Sequence, residues 1–487
     1  MSRLYRTVRF VLRAAVGVYF FDIRATGSEK IPDDGPLIFA ANHPNSIMDT
    51  VLLGAQTERQ IRYMARSGLF DNPIVSAVFN HFGVIPIYRA QDPGDTGQNV
   101  TSFQRAYEAL EEGGCIGIFP EGKNSPERMV RKLKTGTARI ALATEDRNDF
   151  SLGVRIQPVG LNFEDRDRFL SSVLIRFGDP IDVREYAADY GGAPRETARE
   201  LTNRIENKMR RLATHIEDER NHQLVGDIHD IYGSKLSVEF LDDLNLELDL
   251  YRRTDRQERL ADDGTRTPRP QLEDRFEREQ RIADAVAYYQ RTDPGLVARI
   301  RMDIRRYRDH LSQLQLRHGL LEDGLSANGH RREALAMTAY AVLLGPVAIY
   351  GLINNVVPAA IVGQVTRRQP DEAKVAFAGF FTGLIAFPLF YAMQCWALWT
   401  MADQSLVVVL AYLISLPVTG LFFLRWWRQI LTYRERILFR TFFRSEKSLI
   451  DALERERQSL VDRLEDLKKH YIETRRTEAK RSLQEAQ

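Results

Sequence analysis

Cysteine is scarce in this sequence, with Cys115 and Cys395 as the two thiols among 487 residues. Two cysteines so far apart provide neither a disulfide framework nor a paired-cysteine metal site. An excess of positive charge is also missing, because 68 Lys and Arg nearly cancel 66 Asp and Glu and leave a formal charge of +2. This balance argues against a general nucleic-acid-binding protein.

Charge is unevenly distributed along the chain. Overall, 28% charged and 44% hydrophobic residues are typical of a soluble protein, yet residues 334–366, 375–402 and 404–424 contain no charged side chain. Each of these three stretches is long enough to form a membrane helix. Burial of all three inside a large soluble core is the alternative, and it is disfavoured because three consecutive stretches of this length are hard to cover with protein.

The charges around these stretches predict a membrane topology. Basic residues precede the first stretch, separate it from the second and follow the third, whereas the connection at residues 401–404 has none. By the positive-inside rule, helices at residues 375–402 and 404–425 form a hairpin whose outer ends are cytoplasmic. The first stretch, residues 334–366, then begins and ends on one side, and its prolines and asparagines favour a re-entrant or interfacial element. A layout with three spans would instead place the basic C-terminus outside.

Four further regions flank this membrane region, which we take as residues 334–430. Residues 1–30 carry spaced arginines among apolar residues, which predicts an interfacial amphipathic helix; packing on its own domain is the alternative. Residues 31–185 alternate short apolar runs with helical stretches, the pattern of an α/β domain. Residues 186–333 are densely charged and helical. Residues 431–487 form a charged helix whose leucine seam suits packing on that insert or on a second copy as a homo-oligomer.

The α/β region places a histidine directly after an apolar run. His43 follows Leu37–Ala41, and Asp49 comes six positions later. A histidine just beyond a strand end can accept a hydroxyl proton, while a carboxylate fixes its tautomer and stabilises the imidazolium. Three other motifs accompany this pair: an apolar run ending in Arg89 at residues 83–89, Phe-Pro-Glu-Gly at residues 119–122, and Gln-Pro-Val at residues 157–159.

In this order and spacing, the four motifs resemble those of the glycerolipid acyltransferase family, the glycerol-3-phosphate and 1-acylglycerol-3-phosphate (lysophosphatidate) acyltransferases. The resemblance covers residues 25–185 and implies an α/β acyltransferase domain, a mixed sheet flanked by helices. It implies that His43 deprotonates the acceptor hydroxyl, that Asp49 orients His43, and that Arg89 binds the acceptor phosphate. The other implied site residues are Glu121 and Gly122 at the acceptor site, Lys134 as a second phosphate contact, and Pro158 as a structural residue or part of the acyl-donor site.

The resemblance also implies the reaction and its partners. An acyl group passes directly from acyl-CoA or acyl-carrier protein to a hydroxyl of a glycerol phosphate, in phospholipid biosynthesis, without metal or cofactor. The longer spacing between His43 and Asp49, together with the charged insert and the C-terminal apolar segments, resembles the fungal type of glycerol-3-phosphate acyltransferase and its bacterial relatives. This resemblance favours glycerol 3-phosphate over lysophosphatidate as acceptor. The implied location is the cytoplasmic side of a bacterial inner membrane or the endoplasmic reticulum, in contact with membrane lipids. A non-catalytic membrane scaffold is the alternative of another class.

The spacing of the histidine and the aspartate departs from the family pattern. Five residues, instead of the family's usual four, separate His43 from Asp49. Within a helix one extra residue would rotate the aspartate by about 100° around the axis. Contact between the two side chains therefore requires that the turn before the helix accommodates the extra residue, and Pro44 and Asn45 are suitable turn residues.

Overall fold

The computed structural model describes residues 3–71, 73–88, 99–124, 127–166, 168–232, 271–313, 330–369, 372–402, 405–442 and 447–485. The chain divides into two compact units. The first comprises Met1–His215 and Val357–Met393, and the second comprises Ile216–Val356 and Gln394–Gln487.

The first unit alternates strands and helices, as its sequence predicts. Its elements are α1 (Arg3–Tyr19), β1 (Asp22–Thr26), β2 (Leu37–Ala41), α2 (Ile47–Gln56), β3 (Ile61–Arg66), α3 (Pro73–His81), β4 (Ile85–Ile87), α4 (Asn99–Glu111), β5 (Cys115–Ile118), α5 (Gly136–Asp146), β6 (Arg155–Phe163), β7 (Ser172–Phe177), β8 (Ile181–Asp182), α6 (Ala187–Tyr190) and α7 (Pro194–Leu212).

The eight strands among the described residues form one mixed sheet. Their order is β1-β7-β6-β2-β5-β3-β4, and β8 pairs with β6. Strands β2 to β6 run parallel to one another, whereas β7 and β8 are antiparallel to β6. The carboxyl ends of β2, β5 and β4 therefore meet at one edge of the sheet, where ligands of open α/β sheets bind.

The sheet is covered on both faces. Ile38 and Ala40 of β2 point into a buried cluster shared with α4, α5 and α7, whereas Leu37 and Phe39 point into a second cluster shared with α2. Successive side chains of a strand alternate between faces, so a strand buried on both sides has an uninterrupted apolar sequence. This is why β2 and β5 were recognisable as short apolar runs.

Two strands lie where the sequence did not indicate them. β1 falls within residues 1–30, where we expected an amphipathic helix, and α1 ends at Tyr19. β1 is an edge strand with half-buried side chains, and β3 contains Arg62 and Arg66, so neither has an apolar run. The helix α1 itself packs on its own domain through Val16 and Tyr19 at one end and exposes apolar side chains such as Phe10.

The second unit contains a helical cluster built from the charged insert and the C-terminal tail. Helices α8 (His222–Tyr232), α9 (Gln271–Thr292) and α10 (Pro294–Gln313) share one buried cluster with the C-terminal helix α14 (Lys447–Glu485). The leucine seam of α14 is part of this cluster, so it packs on the insert, one of the two partners that the sequence allowed. Residues 233–270 and 314–329 of the insert lie outside the described residues.

Three apolar helices correspond to the three uncharged stretches: α11 (His330–Arg367), α12 (Glu372–Ala402) and α13 (Leu406–Phe442). By length and composition, Thr338–Arg367, Val375–Thr400 and Leu406–Leu431 are each able to cross a membrane. α11 is one continuous helix, so the chain reversal expected of a re-entrant element at residues 334–366 does not occur.

The side chains of the two asparagines of α11 find hydrogen-bond partners while the helix remains continuous. Asn355 Nδ2 donates to the carbonyl oxygen of Gly351 at 2.8 Å and to that of Leu416 at 3.1 Å. The hydroxyl of Tyr412 donates to Asn354 Oδ1 at 3.0 Å. Side-chain amides in apolar helices are tolerated when neighbouring helices supply such partners.

Candidate active site

The predicted site residues cluster at the carboxyl edge of the parallel strands. His43 follows β2 by two residues, and Glu121 follows the adjacent strand β5 by three. Arg89 follows β4 but lies outside the described residues, so its contact with an acceptor phosphate stays a prediction. The described end of that strand is fixed, because the backbone N–H and C=O of Tyr88 bond the side chain of Asn99 at 2.9 and 2.6 Å.

His43 and Asp49 are in direct contact. His43 Nδ1 lies 2.9 Å from Asp49 Oδ2, and the backbone N–H of Asn45 donates to the same oxygen at 2.8 Å. Asp49 is fully buried, whereas 19% of the His43 side chain is exposed. Because the carboxylate holds Nδ1, Nε2 is the ring nitrogen left to receive a proton from a hydroxyl group.

The turn before α2 accommodates the additional residue between this pair. α2 begins at Ile47, so Pro44, Asn45 and Ser46 lie in the turn and Asp49 lies in the first helical turn. The N–H of Met48 donates to the C=O of Asn45 at 3.1 Å and closes the turn. Ser46 has φ 50° and ψ −126°, a conformation that favours glycine, so the turn keeps the pair together at a cost in backbone strain.

Two aromatic rings support the imidazole. The ring of Phe119 stacks on His43 with centroids 4.0 Å apart and planes inclined by 15°. Tyr63 lies beyond it, 6.4 Å from the Phe119 centroid, and its hydroxyl donates to the C=O of Thr50 at 2.9 Å. We did not predict this stack from sequence, although Phe119 precedes Pro-Glu-Gly directly. It fixes the plane of the imidazole.

Glu121 is a buried carboxyl group beside this histidine. Among the residues that the structure describes, no donor lies within normal hydrogen-bond geometry of either carboxyl oxygen. Burial raises the pKa of Glu121 to about 8; the backbone N–H groups of His43 and Arg131 oppose the effect in part, and the charge of Asp49 adds to it. Glu121 is therefore largely protonated at neutral pH, and its carboxyl O–H is available as a donor.

Gly122 and Lys134 meet at the Phe-Pro-Glu-Gly turn. Gly122 has φ +74°, and a Cβ built on it would lie 2.7 Å from Lys134 Nζ. The backbone N–H of Lys134 donates to the C=O of Pro120 at 2.9 Å and ties the two segments together. A side chain larger than hydrogen at position 122 would displace the lysine, so glycine keeps an exposed ammonium group over the turn.

Pro158 lies inside the sheet. It is buried in β6, opposite Ala40 of β2, and its C=O accepts from the N–H of Gly178 at 2.9 Å. Neighbouring Gln157 donates from its side-chain amide to the C=O of Gly178.

Two further residues fix the histidine loop, and neither was among the predicted site residues. The side chain of Asn42 bonds both backbone groups of Leu161 on β6, with distances of 3.0 and 2.7 Å. Arg166, in the turn after β6, donates from Nη1 to the C=O of Pro44 at 3.2 Å. The sequence signal for Asn42 was its position directly before the histidine, and no local pattern marks Arg166. Within the residues that the structure describes, no three or more His, Cys, Asp or Glu side chains group as metal ligands would.

Residues 22–162 match the protein-family model described as Acyltransferase. The matched residues lie within the first unit. Glycerol-3-phosphate O-acyltransferase 1 of Saccharomyces cerevisiae is 23% identical over 323 residues, which are 48% of this chain and 42% of the yeast protein. The 1-acyl-sn-glycerol-3-phosphate acyltransferase of Bacillus subtilis is 30% identical over 131 residues, or 27% of this chain and 58% of that one.

A second yeast protein and one solved structure are also similar to this chain. Glycerol-3-phosphate O-acyltransferase 2 of the same yeast is 34% identical over 112 residues, 23% of this chain and 15% of that protein. This chain thus spans less than half the length of either yeast relative. The crystal structure of the lysophosphatidate acyltransferase PlsC from Thermotoga maritima is 23% identical, covers 43% of this chain and 78% of its own, and has a TM-score of 0.32.

Proposed function

We propose that the protein transfers a fatty acyl group from an acyl-thioester to a hydroxyl of glycerol 3-phosphate. The observation that carries this proposal is the contact of His43 with buried Asp49 at the end of β2, beside Glu121 and Gly122. The acyltransferase domain and the yeast relatives support the reaction class. The alignment over 323 residues with a yeast glycerol-3-phosphate acyltransferase supports this acceptor over lysophosphatidate.

In the proposed reaction, His43 Nε2 takes the proton of the acceptor hydroxyl while Asp49 stabilises the imidazolium. The acceptor oxygen attacks the thioester carbonyl carbon, the C–S bond breaks, and the leaving thiolate takes the proton from His43. No acyl-enzyme forms. Neutral Glu121 donates a hydrogen bond to the acceptor without repelling its phosphate, and Lys134 and Arg89 bind that phosphate.

Acceptor competition tests this proposal. Purified protein in lipid–detergent micelles is given acyl-CoA with glycerol 3-phosphate, dihydroxyacetone phosphate and lysophosphatidate in separate and mixed assays. We expect the highest kcat/KM for glycerol 3-phosphate. Acylation of lysophosphatidate alone would overturn the acceptor and leave the reaction class intact.

We further propose that α12 and α13 cross the membrane as a hairpin and that α11 does not cross it. Support in the first unit comes from Phe380 of α12, which shares a buried cluster with Phe39 and lies 5.8 Å from the ring of Tyr19. The sequence between Tyr19 and Phe380 contains one stretch of span length, that of α11. Since both ends of this segment belong to the same folded domain, they lie on one side of the membrane.

Support in the second unit comes from the packing of α14 on α10. Arg463 of α14 pairs with Asp303 of α10 at 2.7 Å, and both helices contribute to one buried cluster. The intervening chain must then cross the membrane an even number of times, so the three helices do not all cross. The apolar side chains that α12 and α13 expose, such as Trp396 and Val407, suit lipid contact. The flanking arginines favour a cytoplasmic acyltransferase domain.

Cysteine labelling tests this topology. In a Cys395→Ser background, Gln369→Cys, Ser405→Cys and Thr477→Cys are introduced one at a time and treated with a membrane-impermeant maleimide in sealed vesicles of either orientation. We expect Gln369→Cys and Thr477→Cys to react in inside-out vesicles and Ser405→Cys in right-side-out vesicles. Reaction of positions 369 and 477 from opposite sides, or of all three from one side, would contradict the hairpin.

A further inference from the structure

We propose that Arg166 is a positioning residue for the His43–Asp49 pair. It braces the turn between the two residues and supplies a permanent positive charge near the buried carboxylate. This inference deepens the proposed function, since the expected effect is on the reactivity of His43. Arg166 lies in the turn after β6, and β6 pairs directly with β2, the strand that His43 follows.

The contacts of Arg166 hold the turn from two sides. Its Nη1 donates to the C=O of Pro44 at 3.2 Å, and its own backbone C=O accepts from Asn45 Nδ2 at 2.8 Å. The backbone N–H of Asn45 in turn donates to Asp49 Oδ2 at 2.8 Å. Arg166 is thus bonded to both residues before Ser46, whose φ of 50° makes the turn strained. A strained turn persists when its surroundings hold it, and Arg166 is part of that support.

The charge of Arg166 acts on Asp49. Burial raises the pKa of Asp49, and the opposing influences are its bond to His43, the N–H of Asn45 and the positive charge of Arg166. Among the described residues, Glu121, after β5, and Tyr63, on β3, also interact electrostatically with Asp49, and burial raises the pKa of both. Both are therefore largely neutral at neutral pH, whereas the guanidinium group of an arginine is a cation.

The test compares three variants of the full-length protein. Arg166→Gln removes both the charge and the guanidinium group, whereas Arg166→Lys keeps the charge and removes only the guanidinium group. Arg168→Gln is the matched control. Arg168 lies in the same turn, exposed to solvent, so Arg168→Gln removes an equal charge. Circular dichroism and gel filtration in detergent establish that each variant folds.

We expect Arg166→Gln to lower kcat by about 10²-fold, because small displacements of catalytic groups have effects of this size. The KM for glycerol 3-phosphate should stay close to that of the wild type. Loss of a cation favours protonation of the pair, so the acid limb of kcat/KM against pH should move upward. Arg166→Lys should keep the wild-type acid limb while losing part of kcat, and Arg168→Gln should match the wild type in both.

A second readout needs no turnover. The rate of His43 modification by diethyl pyrocarbonate, taken as the difference from His43→Ala, rises as the imidazole loses its proton. Its midpoint should move upward in Arg166→Gln and stay in place in Arg166→Lys. If the wild type acylates no glycerol phosphate, the proposed function fails, and this titration still decides the role of Arg166.

Three outcomes would overturn the inference. The first is an Arg166→Gln variant whose pH profile and modification midpoint match those of Arg168→Gln. The second is an equal upward shift in Arg166→Gln and Arg166→Lys, because the charge of Arg166 would then have no role. The third is a loss confined to KM for the acceptor, which would make Arg166 a substrate-binding residue.

Discussion

Replacing His43 with alanine is expected to reduce acyl transfer by about 10²–10⁴-fold, the contribution typical of a positioned general base. The substitution removes the imidazole that Asp49 holds at 2.9 Å and that Phe119 supports by stacking at 4.0 Å. Without it, no other group takes the acceptor proton at this position in our mechanism. Initial rates with saturating acyl-CoA and glycerol 3-phosphate measure the loss.

The matched control for this variant is His81→Ala. His81 lies exposed at the end of α3, so its replacement removes an imidazole without touching the site. It should keep the wild-type rate. A folded His43→Ala protein with an undiminished rate would exclude His43 as the base. A cell whose phenotype survives the substitution would favour the non-catalytic scaffold.

Replacing Glu121 with glutamine is expected to change the pH dependence of stability. The pKa of Glu121 is about 8 in the folded protein and 4.5 in its unperturbed state. Because the folded-state pKa is raised, the native state binds the proton more tightly than the unfolded chain does. The stability that this proton provides is fully present below pH 4.5 and is lost as the pH rises through 8. Glutamine keeps the neutral shape and does not ionise.

At pH 9 the Glu121→Gln variant should therefore be more stable than the wild type by up to about 5 kcal/mol, while at pH 4.5 the two should be alike. Denaturant unfolding in detergent, followed by circular dichroism, measures the difference at both pH values. Glu58→Gln is the control, because Glu58 is exposed and its replacement removes a carboxylate at the surface. A variant at position 121 that is less stable than the wild type at pH 9 would mean that the carboxylate is ionised and paired.

The sequence predicted strands best where their side chains are buried on both faces of the sheet. β2 and β5 are buried on both faces, so they appear as apolar runs. His43 was a candidate base from its position after the first run, and the family resemblance implied Glu121 as a site residue after the second. The edge strand β1 was not predicted, because half-buried side chains leave no such run. From the sequence, contact between His43 and Asp49 could be predicted only on the condition that the turn accommodates the extra residue. That condition depends on the backbone angles of Ser46, which the residue type does not determine.

Long-range contacts account for the other differences. Arg166 reaches the histidine loop across 122 positions of sequence, and no local pattern marks such a residue. The asparagines and prolines of α11 suggested an interrupted helix, yet the partners of Asn355 lie both within α11 and on α13, and the helix continues. For Arg89, Lys134 and the other acceptor contacts, the roles stay predictions that the acceptor assays address.

The most direct test of the whole account is acyl transfer by the purified chain in lipid vesicles. The protein is incubated with glycerol 3-phosphate and an acyl donor, acyl-CoA or acyl-carrier protein, and both the released thiol and the lipid product are quantified. We predict 1-acylglycerol 3-phosphate in equal amount to the released thiol, and neither above background with His43→Ala. Thiol release without acylation of any glycerol phosphate, by folded wild-type protein with either donor, would contradict the account.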